Sequence, residues 1–191
     1  MKNLKKALVL FLCAVLLVAG SVMGTLAYLT YQDSATNTFT VGEVKIDLKE
    51  YDVDGQTGLK TTTVVDSLTA LELIPGREIQ KNPFITVDAG SESCWLFVKI
   101  ENNLGDAVSI NGLAGWTAVK DHAGYYQYNA TVDAGATVTV FESITVDSGK
   151  TFADLSAVAD ETIVITAYAV QSEGIAQDDA WTALGEHYEL G

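Results

Sequence analysis

Few side chains in this chain could carry out chemistry. His122 and His187 are the only histidines. No His-Glu-x-x-His occurs, so no helical turn presents two imidazoles to one zinc ion. Glu186, His187 and Glu189 bring three possible ligands together near the end of the chain, a pattern that also describes a solvated tail. Glu50-Tyr51-Asp52-Val53-Asp54-Gly55 alternates its carboxylates as a calcium loop does. Such loops place a bidentate Glu at the twelfth position, and counting from Glu50 that position is Thr61. An ordinary Asp-Gly turn is therefore expected, with Asp52, Asp54 and His187 as weak metal candidates. There is no Gly-x-Ser-x-Gly elbow and no phosphate loop. No catalytic residue and no cofactor is expected.

Cys94 lies in the apolar run Cys94-Trp95-Leu96-Phe97-Val98 and is expected to be a buried, inert thiol, with an intermolecular bridge as the alternative. Cys13 follows Leu12, where a lipoprotein signal needs a small residue. Trp116, Tyr125, Tyr126 and Tyr128 could form a sugar-stacking platform, but at strand spacing they read first as core or cross-strand pairs.

The elements that would hold these residues are short strands between turn signals. Phe39, Val41, Val44, Ile46 and Leu48 alternate with one slip at Gly42, giving an expected first strand over Thr38 to Lys49. Thr61 to Leu73 reads as a strand, or a strand and a turn of helix. Pro75-Gly76 marks a turn. Pro83 cannot donate to a ladder, so Ile79 to Val87 is expected at a sheet edge, or to begin at Phe84. Cys94 to Glu101 is the most apolar strand, with Cys94, Leu96, Val98 and Ile100 on one face and Trp95, Phe97 and Lys99 on the other. Asn102 to Gly115 reads as loop. Trp116 to Val119 and Tyr125 to Tyr128 flank an Asp121 to Gly124 turn. Thr137 to Phe141 and Glu161 to Gln171 are further strands, and a short helix is expected near Phe152 to Leu155. This pattern argues for an all-β sandwich.

The first 27 residues are different in kind. Lys2, Lys5 and Lys6 precede an apolar stretch from Ala7 to Val18, and Thr25 and Ala27 fit a signal peptidase, so cleavage is expected before Tyr28. Residues 1–27 read as a signal peptide, 28–38 as an extended N-terminal arm and 39–191 as one domain. Ala7 to Leu29 holds 23 uncharged residues, long enough to span a bilayer, so an uncleaved anchor is the alternative. Three of the 11 basic residues and none of the 25 acidic ones lie in the leader. The remaining chain has 8 basic against 25 acidic residues, a formal −17. Without a basic patch, nucleic acid is excluded as a partner, and the membrane is engaged only through the signal peptide.

Gly24, Thr25, Ala27 and Tyr28, then Thr38, Phe39 and Gly42, resemble the export segment of the TasA and camelysin family of secreted biofilm-fibre subunits. The Pro75-Gly76 turn with the strands that follow, and the ending Tyr168 to Gly174 with Asp178-Asp179-Ala180-Trp181, extend the likeness. Asp178 is expected to cap a short terminal helix, with Asp179 suiting its N-terminus. The resemblance implies a jelly-roll and export through a SipW-type signal peptidase into the extracellular matrix or onto a Gram-positive-type cell surface. It also implies self-assembly into fibres, with a matrix accessory protein as a further candidate partner. Tyr28, Leu29, Tyr31 and Asp33 would form the polymerisation arm, adding as a donor strand to the next copy. Two alternatives remain: the family's camelysin metallopeptidase label, and an anchored adhesin using Trp116 and the tyrosines. The residues contain no Leu-Pro-x-Thr-Gly, so sortase attachment is not expected.

Overall fold

The computed structural model describes residues 44–67 and 71–188, the His187 side chain excepted. Residues 41–191 form one compact unit. The signal peptide, its Thr25, Ala27 and Tyr28 cleavage region, the arm and the expected strand residues 38–43 lie outside the described residues.

The fold is all-β with a short C-terminal helix. Eleven strands are described: β1 (Ile46–Val53), β2 (Lys60–Val65), β3 (Glu78–Ile79), β4 (Pro83–Val87), β5 (Cys94–Asn102), β6 (Val108–Asn111), β7 (Trp116–Ala118), β8 (Tyr125–Tyr128), β9 (Thr137–Thr139), β10 (Ser143–Val146) and β11 (Ile163–Gln171). They form three sheets, ordered β2-β1-β4-β9, β3-β10-β6 and β11-β5-β8-β7. Helix α1 (Phe152–Ala157) begins at a reciprocal box in which Asp154 N donates to the Thr151 hydroxyl and Thr151 N donates to Asp154. Helix α2 (Ala180–His187) follows a 3₁₀ turn.

The main core draws on all three sheets: Ile85 and Val87 from β4, Leu96 and Val98 from β5, Ile144 and Val146 from β10. This is sandwich packing, with alternate side chains of facing sheets meeting in one layer. Strand β5 is apolar on both faces because both are covered. Cys94, Leu96, Val98 and Ile100 enter the main core, while Trp95 and Phe97 pack with Val170 under Ala180 and Leu184 of α2. Fully burying one such side chain contributes about 1.5–3 kcal/mol. The Trp95 indole donates to Ile175 O at 2.9 Å, fixing the segment that leads into α2.

Several sequence expectations need correction. Strand β1 runs on through Tyr51 to Val53, where a turn was expected. The acidic residues there read as an Asp-Gly turn, but Glu50 continues the inward register of Ile46 and Leu48, with Lys81 meeting its charge. The turn comes later: Gly58 N donates to Asp54 O at 2.9 Å, and Gly58 has φ +77° with Glu78 O only 2.6 Å from where a Cβ would stand. Strand β4 lies between β1 and β9 and is not an edge. Pro83 is its first residue and contributes only its carbonyl, which accepts from Val140 N at 2.8 Å. The stretch read as loop after Asn102 contains a 3₁₀ turn (Gly105–Ala107) and all of β6, whose Val108 is buried. Asp178 does not cap α2. Asp179 holds the N-cap position, without a side-chain cap bond.

Candidate functional site

Of the residues singled out for metal chemistry, Asp52 and Asp54 are engaged by their own turn, while the His187 side chain lies outside the described residues. One Asp54 oxygen accepts from Gln56 N, Thr57 N and the Thr57 hydroxyl at 2.8–3.0 Å. These bonds, the Thr57 backbone N–H first, hold its pKa below the usual carboxylate value. Asp52 accepts from Val53 N at 2.9 Å, and Glu50 turns inward to Lys81. Among the described residues, no three His, Cys, Asp or Glu side chains gather as a metal site. The His122 ring packs at a tilt against Trp181, with centroids 4.6 Å apart. Cys94 is fully buried, and burial pushes its thiol up to about 11, which makes it a poor nucleophile.

The aromatic quartet is split between two faces. Trp116 is buried, donates to Thr139 O at 2.9 Å and meets Tyr128 edge-on, with Tyr126 in the same core. Tyr125 lies on the opposite face against Trp181, with its centroid 5.1 Å away. The four rings are core and cross-strand pairs, and they do not make a joint platform. No helix among the described residues is long and apolar enough to cross a membrane.

The open feature is the edge of β11. Strand β11 pairs with β5 over nine residues, and no other described strand pairs with it. Asn103 N donates to Thr162 O and Ser172 N to Ser93 O, which fixes the phase of the ladder. Even-numbered residues of β11 therefore exchange bonds with β5. The N–H and C=O groups of Ile163, Ile165, Ala167 and Ala169 face the open edge. The side chains of these same residues point toward the main core.

Beneath this edge lies a cleft in two parts. The wider holds about 460 Å³, with aliphatic walls that include Leu71, Leu73, Leu104 and Ile144 and a mouth at Asp160 and Glu161. The narrower holds about 220 Å³ and reaches Leu48, Lys49, Asp66 and Pro83. Glu50, Ser67, Lys81 and Ile163 line both parts. The part-buried Lys81–Glu50 ion pair thus lines both halves, as Ile163 does. Burial without pairing would cost several kcal/mol per ion, so the partners hold one another in place.

Sequence reasoning missed this pair and the exposed edge. The available signal for the pair was an acidic residue falling on the inward phase set by Ile46 and Leu48. The expected arm residues Tyr28, Leu29, Tyr31 and Asp33 lie outside the described residues. No family model matches this chain, and no curated protein or solved structure matches it either.

Proposed function

We propose that the chain is a secreted structural subunit of a bacterial extracellular matrix, with a jelly-roll-type sandwich, that polymerises head to tail. Once the leader is removed, the arm from Tyr28 to Thr38 of one copy adds as a strand to the sheet of the next. The observation that carries this reading is the edge of β11, which no other described strand pairs, over a cleft. Backbone groups at such an edge need partners, and an extended segment supplies them. The cleft gives the arm's alternate side chains somewhere to go. A head-to-tail contact of this kind does not close on itself and grows into a filament.

The resemblance of the export segment to the TasA and camelysin family supports the same reading, as does the acidic surface of a chain handled outside the cell. The leader tethers the arm to the membrane before cleavage, which delays assembly until export. The test uses the processed chain, residues 28–191, and the same chain lacking Tyr28 to Asp33. Sedimentation and electron microscopy should show filaments for the first and a folded monomer for the second. Filaments of unchanged yield and rate from the shortened chain would remove strand addition by the arm.

A further inference from the structure

We infer that Lys81 and Glu50 condense after folding into an intrachain isopeptide bond, with Nζ of the lysine joined to Cδ of the glutamate. The bond is independent of strand addition and forms whatever the chain assembles with.

This pair differs from the other ion pairs among the described residues. Lys49–Asp47, Lys99–Glu101 and Lys150–Asp106 lie at the surface, their carboxylate side chains 62%, 46% and 91% exposed. Glu50 and Lys81 are largely buried, and Lys81 Nζ touches Glu50 Oε2. Ile79, Leu104, Ile144 and Ile163 line the same part of the cleft and keep it apolar. Both stems are fixed. Glu50 is paired with Val65 of β2 on one side and Pro83 of β4 on the other. Lys81 N donates to Ile79 O at 2.8 Å, and the next two residues, Asn82 and Pro83, are buried. An amine and a carboxyl group fixed in contact react as if at very high concentration. Apolar surroundings also favour the neutral amine of a lysine, which is its nucleophilic form.

The step balances without another reactant. The hydrogen bond passes one proton from the ammonium to the carboxylate, leaving a neutral amine and a carboxylic acid. The nitrogen lone pair attacks Cδ and forms the Nζ–Cδ bond. The Cδ–O bond breaks, and the hydroxyl departs with a second nitrogen proton as water. Asp160 and Glu161 share the cleft and offer carboxylates to relay that proton. The product is a neutral amide in place of two largely desolvated charges. That exchange favours, at this site, a condensation that bulk water does not favour.

The bond ties β1 to the link between β3 and β4, 31 residues apart in the chain. Cys94 is a free, buried thiol, so no disulfide among the described residues does the same. A cross-link of this kind restricts the unfolded chain more than the folded one. The newly folded chain holds the ion pair, and it is the reference for charge-removal variants of the pair.

Intact mass spectrometry of the processed chain tests this. Incubated folded, the chain should become lighter by the mass of one water, while chain kept in urea should not. Proteolysis should then release a branched peptide joining a Glu50 segment to a Lys81 segment, with Lys49, Lys99 and Lys150 unlinked. Lys81→Arg keeps an ion pair but removes the nucleophile, because a guanidinium stays protonated, and its mass should not change. Glu50→Gln should lose ammonia in place of water, since the leaving group changes and the amine does not. Folded chain that keeps its full mass would overturn the inference. So would a lost water without the branched peptide, as a succinimide at Asp54-Gly55 would give.

Discussion

Lys81 donates to Glu50 beneath β1, with only 14% of the lysine side chain and 8% of the glutamate side chain exposed. The two residues come from β1 and from the link between β3 and β4, so the bond ties a strand to the segment that must turn before Pro83. Removing Lys81 takes the opposite charge away from a largely buried carboxylate. Lys81→Met should therefore destabilise the domain by about 3–5 kcal/mol, while Glu50→Leu combined with Lys81→Met should be close to neutral. Urea unfolding checks this. A single variant as stable as the native chain would mean that water reaches the pair freely.

Helix α2 rests on the outer face of β5 and β11 through Ala180 and Leu184, both fully buried. Leu184→Ala should cost about 2–5 kcal/mol. It should also loosen Trp181, whose ring contacts Phe97, Tyr125 and His122. Tryptophan fluorescence should redshift in the variant before global unfolding. Identical unfolding curves would show that the helix is not part of the cooperative unit.

Acid should weaken the domain. Asp54 and Asp154 are held low by hydrogen bonds, from Thr57 and Thr151 respectively, and Asp106 by a hydrogen bond from Lys150. A lowered folded-state value means these groups stabilise the fold fully above the ordinary value of 3.8. That contribution is lost as pH falls through the lowered values. The urea midpoint should fall as the pH drops below the ordinary value of 3.8, and less steeply in Asp54→Asn. A midpoint flat below that value would contradict the assignment.

Native Cys94 should resist alkylation at neutral pH and react fully in urea, since burial both shields the thiol and raises it to about 11. Labelling of the folded protein at the rate of a free thiol would show that β5 opens.

How much of this was legible in the sequence depended on whether local pattern and tertiary environment agreed. They agreed in β5 and β11, where alternation gave both the strand and the face each side chain takes. They agreed again from Phe152 to Leu155, within α1. They disagreed at Glu50, which looks like turn chemistry until Lys81, 31 residues away, supplies the opposite charge. At Pro83 the edge reading failed while the alternative, a strand beginning at Phe84, came within one residue, because a proline that opens a strand keeps its carbonyl in the ladder. Strand β6 was hidden because only Val108 and Ile110 carry its apolar signal between Asn- and Gly-rich flanks. The open edge of β11 was not legible at all, since no local pattern says which neighbour a strand lacks.

Hydrogen–deuterium exchange at single residues of β11 tests the strand-addition account most directly. The outward amides of Ile163, Ile165, Ala167 and Ala169 should exchange rapidly in monomer lacking Tyr28 to Asp33. They should become protected in filaments of the processed chain, most strongly at Ile163 and Ile165. The amides of Val164, Thr166, Tyr168 and Val170, already bonded to β5, should be slow in both forms. Outward amides that exchange equally fast in monomer and filament would contradict the account, because no strand would then have been added at that edge.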